Sequence, residues 1–140
     1  MSLAIRHEPV SDAHRAEVAA AFDATPQLRS RTDTSGGMVD AVDCLSGAHF
    51  FRVLDDGVPV AFYVLRLRRR GARSAADVTL AHGRAGFDLV AAVLPLIERQ
   101  CEAHGVHELR MQTRRPGLMK KLARAGYVQA SVTLKKELRR

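Results

Sequence analysis

At 140 residues, with 46% apolar and 26% charged side chains, the chain has the size of one domain and an ordinary globular composition. No run approaches the roughly 18 uncharged apolar residues that a membrane-spanning helix needs. Cys44 and Cys101 lack metal-ligand spacing, and the opening MSLAIRHEPV has no apolar leader core, so the expectation is a cytoplasmic protein with reduced thiols and no metal.

The formal net charge is +7, and apart from Lys120, Lys121, Lys135 and Lys136 the 22 basic residues are arginines. Such an excess speaks to solubility and partners, not to fold. It fits an arginine-favouring codon usage, or recognition of oxyanions by bidentate guanidinium groups. With 5% aromatics, no tryptophan and no stacking motif, nucleic acid ranks last among the partners considered.

Leu3 to Glu8 reads as a short strand centred on Ile5 and ended by Pro9. Ser11 or Asp12 then caps an alanine-rich helix, because a side-chain oxygen can accept from an orphan N–H of the first turn. That helix runs to about Ala24, with Val18 and Phe22 four apart on the core face, and Thr25-Pro26 stops it. Gln27 to Gly37 is a polar loop or broken helix, and Met38 to Leu45 supplies a helical turn or two through Met38, Val42 and Leu45. A loop of this kind either lines a substrate site or covers surface.

Ala48 to Leu54 and Val58 to Leu67 flank Asp55-Asp56-Gly57, a strong hairpin signal because glycine accepts the positive φ of a tight turn. The basic run Arg66 to Arg70 is a solvated strand end or a phosphate-binding patch. Ala76 to Ala81 is a fourth strand. A glycine-containing turn follows it, then a long helix starting near Gly86 or Phe87 and closing at His104-Gly105. Leu89, Val93, Leu96, Ile97 and Cys101 give that helix one apolar face, on which Cys101 is a small core residue. Pro95 inside it removes a hydrogen bond to Ala91 and predicts a kink or a break. His107 to Gln112 is a fifth strand, half-buried through Leu109 and Met111. Pro116 to Ala125 is a basic amphipathic helix with Leu118 and Leu122 inward, and Gly126 ends it. Tyr127 to Leu138 alternates Val128, Ala130, Val132 and Leu134 against polar residues and predicts a last strand with a basic end. One mixed α/β (α+β) domain covering residues 1–140 follows.

The order of elements resembles the Gcn5-related N-acetyltransferase (GNAT) fold from Ala48 to Leu138. The ending LRMQTRRPGLMKKLARAGYVQASVTLKKEL is similar to that family's closing strand, short helix and final strand, with Gly126-Tyr127 where the family has Gly-Phe. The resemblance implies a mixed, mainly antiparallel central sheet flanked by helices, whose fourth and fifth strands splay apart beside His82–Asp88. It also implies acetyl-CoA in that gap, held by Leu80, Ala81, His82, Gly83, Arg84, Ala85, Gly86, Phe87 and Asp88, with Arg114 near the adenosine phosphate.

The family's pyrophosphate loop, Gln/Arg-x-x-Gly-x-Gly/Ala, relies on small residues and on the positive end of a helix. In Gly83–Asp88 only Gly86 matches it, and Asp88 places a carboxylate in competition with phosphate for the same N–H groups. For the chemistry, His82 and Asp77 are candidate bases, with His49 behind them. The family's proton-donating tyrosine, four residues before the glycine, is replaced here by Leu122. Tyr127 is the remaining phenol, as an acid or as a packing residue. The reading is acetyl transfer to an unidentified amine on a small molecule or protein, with no membrane and with a homodimer left open. The alternative is a catalytically inactive GNAT-fold binding or structural module of phage or prophage type.

Overall fold

The computed structural model describes residues 2–24, 45, 47–83, 88–113 and 115–139. Arg84 to Phe87 and Arg114, and the segment from Gln27 to Cys44, lie outside the described residues.

Within the described residues the chain order is β1 (Leu3–Glu8), α1 (Asp12–Ala24), β2 (His49–Asp55), β3 (Val58–Arg70), β4 (Arg73–Gly83), α2 (Leu89–Ala103), β5 (Glu108–Met111) and α3 (Pro116–Arg124). The strands form one sheet in the order β1-β2-β3-β4-β5. The first three pairings are antiparallel and β4–β5 is parallel, with α2 as the crossover. This is the mixed, mainly antiparallel sheet that the element order implies.

Local chemistry accounts for most of the element ends. The Ser11 carbonyl accepts from His14 and Arg15 N–H at the start of α1, but its hydroxyl bonds His14 Nδ1 at 3.0 Å and not a first-turn N–H as expected, and its own N–H donates to the same Nδ1 at 3.1 Å. The β2–β3 turn places Asp56 at φ 49° and Gly57 at φ 84°, the left-handed pair that a two-residue hairpin requires. α2 begins at Leu89, later than expected, because Asp88 accepts from Ala91 N–H at 3.3 Å and so holds the N-cap position. Pro95 does not break α2, which runs unbroken to Ala103. Ala91 and Pro95 both lie on the exposed side of the helix, where water can satisfy the carbonyl that proline leaves without a donor.

Two clusters sandwich the sheet. Under α1, Val18, Leu45, Phe50, Phe62, Val64 and Leu80 pack together. Under α2, Val53, Tyr63, Leu65, Ala76, Val93, Ile97 and Cys101 do. Tyr63 donates its hydroxyl to Gln100 Oε1 at 2.6 Å, which satisfies a phenol that is only 1% exposed.

The final strand expected over Tyr127 to Leu138 is not formed. Residues 127–139 join no strand, and Val128, Val132, Leu134 and Leu138 are 87%, 67%, 89% and 81% exposed. Alternation supplies an apolar face, but a strand's hydrogen bonds must come from a neighbour, and within one copy the tail has none.

Candidate active site

β4 carries an irregularity that the sequence does not announce. Val64 pairs with Leu80, but the next residue of β3, Leu65, pairs with Val78, so Thr79 is inserted as a bulge. A bulge bends its strand and re-aims the side chains beyond it. Before it, Ala76 and Val78 face α2; after it, Leu80 faces α1. The pairing with β5 ends at the same place, the last partners being Val78 and Met111. β4 runs on to Gly83 with β3 on one side and, among the described residues, no strand on the other. The fourth and fifth strands therefore part beside His82.

The gap opens into a largely apolar cleft of about 310 Å³. Its floor is β4 from Val78 to Gly83, its roof is α2 through Leu89, Val90, Val93, Leu94 and Ile97, and its far wall is Met111, Gln112, Thr113, Arg115, Leu118 and Leu122. A second cavity, of about 290 Å³, lies between Pro59–Phe62, His82–Gly83, Glu17 and Arg52. Ala61, Phe62, His82 and Gly83 line both, so the two cavities meet at His82. The imidazole stands beside Phe62, with ring centroids 5.8 Å apart. Gly83 is dictated by space: a Cβ there would run into Ala61 Cβ and sit 2.8 Å from the Val60 carbonyl oxygen.

Leu80, Ala81, His82 and Gly83 are thus brought together on the cleft floor. Asp88 stands at the adjoining helix terminus. It caps α2, and its other carboxylate oxygen accepts from Lys121 Nζ of α3 at 3.0 Å. The Lys121 ammonium first, and then the Ala91 N–H, hold the Asp88 carboxyl below the usual carboxylate range.

Asp77 is not brought to this site. It lies on the other side of the bulge from His82 and is bound to Arg68 at 2.6 Å. Tyr127 is also elsewhere: its N–H donates to the Leu122 carbonyl at 3.0 Å and its hydroxyl to Glu98 Oε2 at 3.3 Å. Burial first, and the Glu98 carboxylate second, push that phenol up. Leu122 is buried in the cleft wall. His49 is exposed in β2, opposite Leu65.

Sequence reasoning missed the rim of the second cavity. Arg52 donates to Glu17 through both terminal nitrogens, at 2.7 and 2.8 Å, and to Glu8 through Nε at 3.1 Å. His14 Nε2 bonds Glu8 at 2.9 Å. Because His14 Nδ1 already accepts from Ser11 N–H, Nε2 is the donor. Bonds from Arg52, then from His14 and Arg6, lower the Glu8 carboxyl to about 2 despite burial. The only sequence trace of this cluster is spacing: Glu8, His14 and Glu17 stand on adjoining elements, with nothing to mark Arg52 as their partner.

No protein-family model and no curated protein sequence matches the chain. Solved structures do. An aminoglycoside acetyltransferase from an uncultured soil metagenomic sample superposes with a TM-score of 0.65 at 11% identity, over 99% of this chain and 100% of that one. Ribosomal-protein-alanine N-acetyltransferase from Brucella melitensis gives 0.59 at 16% identity, over 99% of each chain. AAC(6')-Iy, solved with a CoA-containing bisubstrate analogue, gives 0.59 at 14% identity, again over 99% of each. The likeness runs over nearly the whole length of this chain and of each of these structures. The chain has the fold of the Gcn5-related N-acetyltransferases.

Proposed function

We propose that the protein transfers an acetyl group from acetyl-CoA to an amine acceptor, a small molecule or a protein. The observation that carries the reading is the cleft opened by the Thr79 bulge, which meets a second cavity at His82. Acetyl-CoA would supply the thioester. Its slender arm suits a narrow apolar cleft floored by a strand edge, since amide groups can bond a strand as a further strand would. Arg115 in the cleft wall and Lys121 at its mouth are cations of the kind that a pyrophosphate needs. The acceptor amine would enter through the second cavity. His82 would accept the proton that the amine nitrogen loses as the C–N bond forms, the C–S bond would break to release the coenzyme as a thiolate, and that thiolate would take its proton from water. The acetyltransferase activities named for proteins of this fold support the assignment.

A second reading is a non-catalytic module of the same fold. It is favoured by the α2 N-terminus, where Asp88 occupies the N–H groups and binds Lys121, and by Leu122 at the place of the acid. Calorimetric titration with acetyl-CoA and with CoA separates the two. The first reading expects the wild type to bind. Binding by Asp88→Gly alone would mark a decayed site and favour the second. Failure of both proteins to bind would end the coenzyme assignment.

A further inference from the structure

The second cavity is built across one row of the sheet. Arg52 pairs with Phe62, and Phe62 pairs with His82, so the three stand side by side on β2, β3 and β4. The row turns toward α1: Phe62 packs in the α1-side cluster, His82 lies beside its ring, and Arg52 reaches Glu17 of α1. Two strand spacings, about 10 Å, separate the backbone at the imidazole from the backbone at the guanidinium. Much of the remaining lining is apolar, through Pro59, Val60 and Phe62.

At the Arg52 end, the group that meets the cavity is a carboxylate. The guanidinium presents one forked face to Glu17, at 2.7 and 2.8 Å, and the other to Glu8, with both bonds at 3.1 Å. Both bidentate faces are therefore taken, and neither is open to an anion. The Arg52 side chain is 15% exposed, whereas that of Glu17 is 37% exposed. Each Glu17 oxygen accepts one of these bonds and keeps a second lone pair. The bonds from Arg52 also hold the Glu17 carboxyl below the usual carboxylate range, so it is charged at neutral pH. Arg52 is thus a positioning residue that fixes the Glu17 carboxylate at the cavity rim.

We propose that the acceptor is a dicationic amine, of which one nitrogen takes the acetyl group beside His82 while a second ammonium, set off by an apolar spacer, is bound by Glu17. The proposal rests on the acetyl-transfer reading above. The row spacing, less the reach of the side chains, suits a spacer of several methylene groups lying along Phe62 and Val60. A distal ammonium gains a charge-assisted bond to Glu17, a distal hydroxyl only a weaker one, and a distal carboxylate meets like charge.

Diaminopentane, aminopentanol and aminopentanoate share one spacer and differ in the distal group. With acetyl-CoA, kcat/KM for diaminopentane should exceed that for aminopentanol by about tenfold or more, with aminopentanoate the poorest. Glu17→Gln should bring the first ratio close to unity. NMR titration of the wild type with diaminopentane, in the presence and absence of CoA, should shift the Glu17 and Phe62 amides. Equal rates with the diamine and the aminoalcohol overturn the proposal, as does a preference that persists in folded Glu17→Gln. The wild-type series decides even if that variant does not fold. No turnover of any of the three, with the Glu17 and Phe62 shifts present, supports the cation site and overturns only the acetyl-transfer reading. Absence of both turnover and shifts overturns the site itself.

Discussion

The two sides of the sheet end in opposite states at the level of His82. On the α1 side, Arg52 is clamped by Glu8 and Glu17, His14 closes onto Glu8, and Phe50 lies under the guanidinium at 5.0 Å. On the α2 side, the strands part and the Lys121–Asp88 ion pair at the mouth joins side chains that are 50% and 46% exposed. A part-buried network loses much when one member is removed, whereas an exposed pair is nearly neutral. The first therefore fixes where α1 sits on the sheet. The second leaves a cleft mouth whose charges can change partners at little cost.

The largest effect should come from breaking the clamp. Arg52→Ala leaves two part-buried carboxylates facing one another and should cost about 3 kcal/mol in denaturant unfolding. The network should also set an acid limit. Glu8 has its usual carboxyl value near 4.5 when unfolded and about 2 when folded. A lowered folded value means that its contribution is complete above about 4.5 and fades as pH falls toward about 2, so wild-type stability should fall through that window and Arg52→Ala should flatten the fall. Equal acid sensitivity in both proteins would show that the clamp is not what distinguishes the α1 side.

An intermediate effect is expected at the seam that both cavities share. Gly83→Ala forces a methyl group against Ala61 and the Val60 carbonyl, and overpacking of this kind costs about 1–3 kcal/mol. The unfolding midpoint should drop and acetyl-CoA binding should weaken with it. An unchanged midpoint would mean that β3 and β4 are not held as closely there as the register shows.

The smallest effect on stability belongs to the cleft mouth. Lys121→Ala should leave the unfolding midpoint where it was, in low salt and high, while changing the affinity for acetyl-CoA. A loss comparable to that of Arg52→Ala would erase the contrast between the two sides.

Much of the fold was legible from residue chemistry. The Asp56-Gly57 hairpin, the start of α1 at Asp12 and the apolar stripe through Val93, Ile97 and Cys101 are local signals, and each appears where the residues imply it. The strand-like tail shows the limit of such signals, since a correct alternation still needs a neighbouring edge. The site was half legible: Leu80 to Gly83 do line one cleft, but Asp77 shares β4 with them and sits across the bulge from His82, bound to Arg68.

By itself, then, the sequence determined the elements from β1 to α1 and from β2 to α3, their order and the faces they bury, because periodicity and turn chemistry act within a few residues. Tertiary structure decided the Thr79 bulge, the parting of β4 from β5, the Arg52 clamp and the capture of Asp88 by Lys121. Each of these joins residues far apart in the chain, through pairing register and charge contacts that no local pattern encodes.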